Sequence, residues 1–216
     1  MSVEQVRGSD ATVKRRLAVL VSGDGSNLQA LIDAIEGGEL PNVEIALVVS
    51  NKANAQGLQR ALTHKLPTLY LPWSLTRQEV EAKLAAVFSL FAVELIVLAG
   101  WMRIFTSDFI MQYPNRIINL HPALLPDDGQ GDTFTASTGE VVPVLRGLHV
   151  VGRALESGAK VTGSTVHYVT PEVDAGPMLC RAEVAIENSD TEETLHERIK
   201  AVEHRLIVEA VRKVLR

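Results

Sequence analysis

Residues 17–27 read LAVLVSGDGSN, an apolar run that passes directly into a polar loop with two glycines. The run at residues 17–21 has the length and composition of a strand that is buried on both faces. Behind the loop comes a helical stripe of apolar residues: Leu28, Leu31, Ile32 and Ile35. A buried strand, a glycine loop and a helix in this order predict the first unit of a parallel α/β sheet.

The same alternation continues to about residue 125. We predict strands at residues 43–49, 68–71, 95–99 and 116–120. We predict helices at 55–64, at 107–113 and behind a capping box, Thr76-x-x-Glu79. Because the strands are unbroken apolar runs, we predict a Rossmann-like, doubly wound, mostly parallel sheet with helices on both faces. Ligands bind such sheets beyond the carboxyl ends of the strands.

Residues 127–146 interrupt this pattern, because they are rich in Gly, Asp and Thr. They are predicted to form a surface loop or a small hairpin. Further on we predict a helix at 148–157, paired strands at 161–169 and 178–186, and a last helix capped by Ser189-x-x-Glu192. Residues 1–16 lack the apolar segment of a signal peptide and are predicted to be a flexible tail. Residues 17–216 would then be one domain that carries 127–146 as an insert.

Composition excludes several classes of protein. A net charge of −5 argues against nucleic acid held by bulk electrostatics. Cys180 is the only cysteine, which excludes a disulfide framework and fits a reducing cytosol. No apolar stretch approaches the ~18 residues of a membrane span. Because no His-Glu-x-x-His motif occurs, we also expect no metal, and we expect a cytoplasmic protein.

The glycine loop, Ser22–Asn27, admits two interpretations. Gly23 and Gly25 permit positive φ, while Ser26, Asn27 and the helix N-terminus offer donors to an anion such as a phosphate. A tight strand-to-helix turn with a Ser or Asn cap is the ordinary alternative. The loop lacks the third glycine of the dinucleotide fingerprint and the lysine of a Walker loop, so it slightly favours a monophosphate.

Polar side chains stand at the end of the strand at 116–120. Asn119 and His121 are two residues apart, so they point to the same side of a strand. An Asn amide can donate to an oxyanion, and His can move a proton near neutral pH. Asp174 follows a later strand, and a carboxylate beside His121 would raise the pKa of the ring. The alternatives are an Asn119 that satisfies loop backbone, a His121 that packs, and an Asx-turn at Asp174.

Three charged residues have plain structural explanations as well. Arg77 lies in the first turn of a predicted helix, which is the unfavourable end for a cation unless it contacts an anion. Lys200 and Glu203 are three residues apart on the last helix and would ordinarily be a surface ion pair.

Seven segments in order carry a family resemblance: SGDGSNLQALIDA, VVSNKANAQGLQRA, LAGWMRIF, INLHPALLP, GSTVHYV, EVDAGP and ETLHERIKAVEH. Together, from residue 17 to about 206, they resemble the phosphoribosylglycinamide formyltransferases, folate-dependent enzymes of purine synthesis. The Asn-x-His pattern with a later Asp is shared with other formyltetrahydrofolate enzymes. It therefore identifies the chemistry more securely than the acceptor.

The resemblance implies specific roles. Catalysis is implied for Asn119, His121 and Asp174. Binding of phosphoribosylglycinamide is implied for Gly25, Ser26, Asn27, Lys200 and Glu203. Folate binding is implied for Arg77, Met102, Arg103, Ile104, Phe105, Asn119, Thr170, Glu172, Val173 and Asp174. The family uses 10-formyltetrahydrofolate as formyl donor and no metal, so we expect only small-molecule partners and a monomer or weak homodimer.

The sequence departs from the family at the insert, which replaces a shorter segment, and we expect a hairpin near the entrance of the site. Trp101 stands where Phe is common. The nearest alternative function is a formyltetrahydrofolate hydrolase (deformylase), although that family carries a preceding regulatory domain. A methionyl-tRNA formyltransferase would need a tRNA-binding domain, and a non-catalytic folate or nucleotide module would lack one of the three catalytic residues. A nicotinamide-binding module is disfavoured by the missing third glycine.

Overall fold

The structure, a computed structural model, describes residues 13–73 and 76–216. The strands are β1 Arg15–Val21, β2 Val43–Ser50, β3 Thr68–Tyr70, β4 Leu95–Leu98, β5 Ile117–His121, β6 Thr133–Thr135, β7 Val141–Pro143, β8 Val161–Tyr168 and β9 Met178–Ala185. The helices are α1 Ser26–Glu36, α2 Gln56–Thr63, α3 Arg77–Leu90, α4 Ser107–Met111, α5 Val150–Glu156 and α6 Glu192–Val214. In the part of the chain that is described, no helix has both the length and the apolarity needed to cross a bilayer.

Seven strands form the central sheet in the order β3-β2-β1-β4-β5-β8-β9. The pairs from β3 to β5 are parallel, and β8 and β9 extend the sheet as antiparallel strands. The chain order reverses direction between β1 and β4, which is where doubly wound sheets open a crevice for ligands. The predicted mostly parallel α/β sheet is therefore confirmed.

The two faces of the sheet bury separate apolar layers. Along β1, Leu17 and Val19 pack on the side of α1 and α6, whereas Ala18 and Leu20 pack on the side of α3. All four side chains are fully buried, because successive residues of a strand face opposite sides and both sides are covered by helices. This double cover explains why the predicted strands were continuous apolar runs.

Specific contacts correct two of the predicted boundaries. β1 begins at Arg15, inside the predicted tail, because the Arg15 N–H donates to Asn42 O at 2.7 Å and the Arg16 guanidinium donates to Phe91 O at 2.6 Å. Residues 1–12 of that tail lie outside the described residues. The cap of α6 is Thr191 rather than Ser189, since the Thr191 hydroxyl accepts from Thr194 N–H. The predicted capping box of Thr76 and Glu79 is present at α3.

The insert, residues 127–146, contains the antiparallel hairpin of β6 and β7. Its inner side is apolar: Ala136 and Val142 are buried against Leu124 and Val161. The hairpin thus rests on the antiparallel side of the sheet, next to the strands β8 and β9 that follow it.

Candidate active site

Three polar side chains from separate segments meet at the carboxyl end of β5. Asn119 and His121 extend from β5, and Asp174 lies in the turn between β8 and β9. His121 Nδ1 is 3.4 Å from Asp174 Oδ2, and Asn119 Nδ2 is 3.4 Å from Asp174 Oδ1. His121 is 4% exposed. The structure therefore brings together the amide, the imidazole and the carboxyl group that the sequence singled out.

A fourth side chain, His167, joins this cluster and was not predicted. It sits opposite Asn119 in the β5–β8 pairing, with Nε2 3.2 Å from Asn119 Nδ2 and 3.5 Å from Asp174 Oδ1. Its Nδ1 is 2.9 Å from Tyr168 O, and its Nε2 lies between the Asn119 amide and the Asp174 carboxylate. The strand that carries His167 was predicted from its alternation of apolar and polar residues. The register between β5 and β8, which places His167 opposite Asn119, cannot be read from the sequence.

Both ring nitrogens of His121 face protein acceptors. Nε2 is 2.7 Å from Leu145 O, and Nδ1 faces Asp174. A neutral ring donates to only one of them, whereas an imidazolium donates to both. The cluster is therefore arranged to accept a proton at His121 when charge develops nearby.

The pKa values reflect the balance between burial and charge. Burial raises the pKa of the Asp174 carboxyl, but the hydrogen bond from His167, the charge of His121 and the Gly147 N–H together bring it below its ordinary value. Burial lowers the pKa of His121, and Asp174 and the Leu145 carbonyl offset this only in part. Asp174 thus raises the pKa of His121, as expected, but the net pKa of His121 is lowered because burial has the larger effect.

The glycine loop is tightly fixed against α2. Gly25 has φ +75°, and a Cβ there would lie 2.6 Å from Gly57 Cα, so both features require glycine. The Arg60 side chain donates to Asp24 O at 2.8 Å and anchors the loop further. The Ser26 N–H, a predicted anion donor, donates to Asp24 Oδ1 at 2.9 Å.

Glu203 is buried rather than part of a surface ion pair. It is 5% exposed and accepts from Asn27 Nδ2 at 3.0 Å and from Ser164 Oγ at 3.2 Å. Lys200 instead pairs with Asp24 at 3.2 Å and with Glu197 at 2.9 Å. The bland interpretation of Lys200 and Glu203 as partners is wrong, because α6 turns Glu203 inward towards α1 and β8. Glu203 takes one of the two amide hydrogens of Asn27, so Asn27 can offer an anion its backbone N–H and the second amide hydrogen.

One cavity of about 630 Å³ connects these groups. It is lined by nearly all the residues with a predicted role: Gly25, Ser26, Asn27, Met102, Arg103, Ile104, Phe105, Asn119, His121, Thr170, Glu172, Val173, Asp174, Lys200 and Glu203. Gly147, Leu148 and His149 line it as well. Arg77, although among the described residues, is exposed and does not line it. The expected hairpin is present, but residues 127–146 do not line the cavity. The beginning of the insert packs instead against the residues that follow Asp174, since a Cβ on Gly129 would lie 2.2 Å from Ala175 O.

The predicted folate segment, residues 102–105, has two kinds of side chain. Met102 and Ile104 are more than half exposed at the cavity, whereas Phe105 is buried. Phe105 stacks on Trp101 at 6.1 Å, and Trp101 meets Trp73 edge-on at 5.7 Å. Trp101 thus forms part of an aromatic wall. Phe105 packs within this wall and exposes little of its ring to the cavity.

Titratable groups gather here without forming a metal site. Within residues 13–73 and 76–216, no group of three His, Cys, Asp or Glu side chains is placed to hold a metal ion. The donors in the cavity include amide, imidazole, backbone N–H and cationic groups such as Lys200, which suit a polarised carbonyl and an anion.

Comparisons with known proteins agree with this chemistry. The family model described as Formyl transferase matches residues 15–211. A phosphoribosylglycinamide formyltransferase of Haemophilus influenzae is 36% identical over 194 residues, covering 89% of this chain and 83% of that protein. A trifunctional purine biosynthetic protein adenosine-3 of Gallus gallus is 38% identical over 211 residues, which cover 97% of this chain. The chain spans only 19% of the length of that relative.

Solved structures share the fold at similar identity. Glycinamide ribonucleotide transformylase 1 from Symbiobacterium toebii superposes with a TM-score of 0.81 and is 38% identical, covering 92% of this chain and 86% of that one.

Proposed function

Because the chain belongs to the formyl transferase family, we propose that it transfers the formyl group of 10-formyltetrahydrofolate to the amine of 5′-phosphoribosylglycinamide, as in purine synthesis. The observation that carries this proposal is a single cavity with two chemically different ends. Asn119 and His121 lie on β5 and the glycine loop follows β1, with β4 between these strands in the sheet, and both groups line the cavity. An acyl acceptor with a phosphate at its far end fits this arrangement.

The glycine loop is the proposed site of the acceptor phosphate. The N-terminus of α1 supplies backbone N–H groups and a positive dipole end, and Gly25 keeps the backbone accessible. Lys200 supplies a cation on the same wall of the cavity. Glu203 and Asn27 then lie between the phosphate and the reacting groups, where hydroxyl and amine donors of the acceptor can meet a carboxyl oxygen.

The apolar side chains Met102, Ile104 and Val173 form the proposed donor site. All three are substantially exposed and line the cavity, so they can cover the flat ring system of a folate. The turn at 170–174 is the proposed opposite wall. Arg77 lies outside the cavity and is left out of the proposed donor site.

In the proposed mechanism, the acceptor amine attacks the formyl carbon and forms a tetrahedral oxyanion. The Asn119 amide, whose present contacts at 3.2 and 3.4 Å are long, turns one N–H to the oxyanion. His121 accepts a proton from the amine, because Asp174 favours the imidazolium. The C–N10 bond then breaks, and N10 of the departing tetrahydrofolate takes up that proton. The folate supplies the activated carbon, while the protein supplies position and electrostatics.

The decisive experiment is an absorbance assay with 10-formyltetrahydrofolate, run with and without phosphoribosylglycinamide. The proposal predicts consumption of the donor only when the acceptor is present, with formylated acceptor as product. Release of formate at the same rate without acceptor would contradict it and identify the hydrolase instead. No feature of the described residues favours the hydrolase.

A further inference from the structure

The last two residues of the insert and the residue after it, 145–147, contact the catalytic cluster in succession. The Leu145 carbonyl lies 2.7 Å from His121 Nε2, and the Gly147 N–H donates to Asp174 Oδ2 at 2.9 Å. The Arg146 guanidinium, between them, donates through Nε to the Asp174 carbonyl at 3.2 Å. The segment therefore contacts both partners of the His121–Asp174 pair.

Arg146 also ties the two ends of the insert to each other. Its Nη2 donates to Gly129 O at 2.7 Å and to Gly131 O at 2.9 Å. One guanidinium thus joins the beginning of the insert to the turn that carries Asp174. Only the planar fork of arginine supplies donors in these directions at once, and a lysine ammonium cannot.

The turn at Asp174 needs such support. Asp174 has φ +50°, which is unfavourable for a residue with a side chain. The insert packs directly behind this turn, since a Cβ on Gly129 would lie 2.2 Å from Ala175 O. A backbone in this conformation persists only where its surroundings hold it.

We propose that the insert, residues 127–146, positions the His121–Asp174 pair from behind, and that Arg146 is its positioning residue. This inference rests on the proposed function, because it assigns the insert a part in the same reaction. Arg146 does not line the cavity. It acts by holding the Asp174 carboxylate within reach of His121.

Arg181 offers a matched control. Its guanidinium also anchors the insert, through Leu125 O at 2.9 Å, Asp127 Oδ1 at 2.6 Å and the ring of Phe134 at 4.5 Å. It makes none of the contacts to Asp174 described for Arg146. Either substitution should loosen the insert, whereas only a substitution of Arg146 should displace Asp174.

The experiment compares Arg146→Lys and Arg181→Lys in the full chain by steady-state formyl transfer and by NMR titration of His121. Arg146→Lys should lower kcat at least about 10-fold with both KM values within about threefold, and Arg181→Lys should leave kcat within about twofold. His121 is faced by Asp174, His167 and Arg146. Since Asp174 raises the pKa of His121, that pKa should fall in Arg146→Lys and stay in Arg181→Lys.

Equal kcat and an unshifted His121 pKa in Arg146→Lys, with an active wild type, would overturn this inference and leave the proposed function standing. An inactive wild type would instead overturn the proposed function. Should Arg146→Lys fail to fold, Arg146→Ala with added guanidinium ion is the second variant, and restoration of at least part of kcat is expected. Absence of rescue in a folded Arg146→Ala protein would count against the positioning role.

Discussion

The substitution Glu203→Ala removes a buried group that joins three elements. Glu203 of α6 accepts from Asn27 of α1 and from Ser164 of β8. Asn27 depends on it entirely, because its Oδ1 is buried and has no hydrogen-bond partner among the described residues. Ser164 depends on it less, since its one hydroxyl hydrogen can donate instead to His121 O at 2.9 Å.

The size of the effect follows from these contacts. Leaving the Asn27 amide without a partner costs about 1–3 kcal/mol. The cavity left by the Glu203 side chain costs about 1 kcal/mol more. The variant no longer has to desolvate a buried carboxyl group, and this offsets part of the sum. We therefore expect a loss of about 2–3 kcal/mol in the free energy of unfolding, which lowers Tm by about 4–12 °C for a chain of this size.

Urea unfolding and thermal melting measure this loss directly. Glu197→Ala is the control, because Glu197 lies on the same helix with 67% of its side chain exposed and pairs only at the surface with Lys200. That variant should stay within about 0.5 kcal/mol of wild type. A Glu203→Ala protein as stable as Glu197→Ala would refute the role assigned to the buried carboxyl group.

Three further predictions follow from the same structure. The pKa of His121 in the folded protein lies below its ordinary value. As the pH falls, the unfolded chain therefore binds a proton at His121 before the folded protein does. The contribution of His121 to the free energy of unfolding is thus present above pH 6.5 and is lost as the pH falls below that value. In urea titrations between pH 7.5 and 5.5, the free energy of unfolding of His121→Asn should fall less than that of wild type, and the two slopes should differ by at most about 1.4 kcal/mol per pH unit. Parallel plots of unfolding free energy against pH for the two proteins would contradict this. Gly25→Ala should destabilise by at least about 1 kcal/mol more than Gly38→Ala in the same unfolding assay, since both have positive φ but only Gly25 contacts Gly57. Burial raises the pKa of the Cys180 thiol to about 12, so a thiol reagent at pH 8 should modify unfolded but not native protein.

Features set by local pattern were predictable from the sequence. The apolar runs of the parallel strands and the two-residue spacing of Asn119 and His121 depend only on strand periodicity. The capping box at Thr76 depends on residues three apart. These signals were sufficient for the fold class and for one side of the candidate site.

Features set by distant contacts were not predictable. His167 faces Asn119 through a register between strands 48 residues apart. Glu203 and Lys200 have the spacing of a surface pair, and only the packing of α6 turns Glu203 inward. The net pKa shift of His121 depends on the depth of burial, which outweighs the neighbouring carboxylate. The contacts of Arg146 with Asp174 O and Gly129 O join the insert to the cluster, and no sequence motif marks that residue.

The central claim is that an amide, an imidazole and a carboxyl group act on one formyl carbon. Its most direct test is the turnover number of formyl transfer to phosphoribosylglycinamide by purified His121→Ala, with folding verified by circular dichroism and Asn119→Ala as a second variant. Loss of one such group costs several kcal/mol of transition-state stabilisation, so kcat should fall by about 10²–10³ or more in each variant. A folded His121→Ala protein that turns over at nearly the wild-type rate would contradict the account.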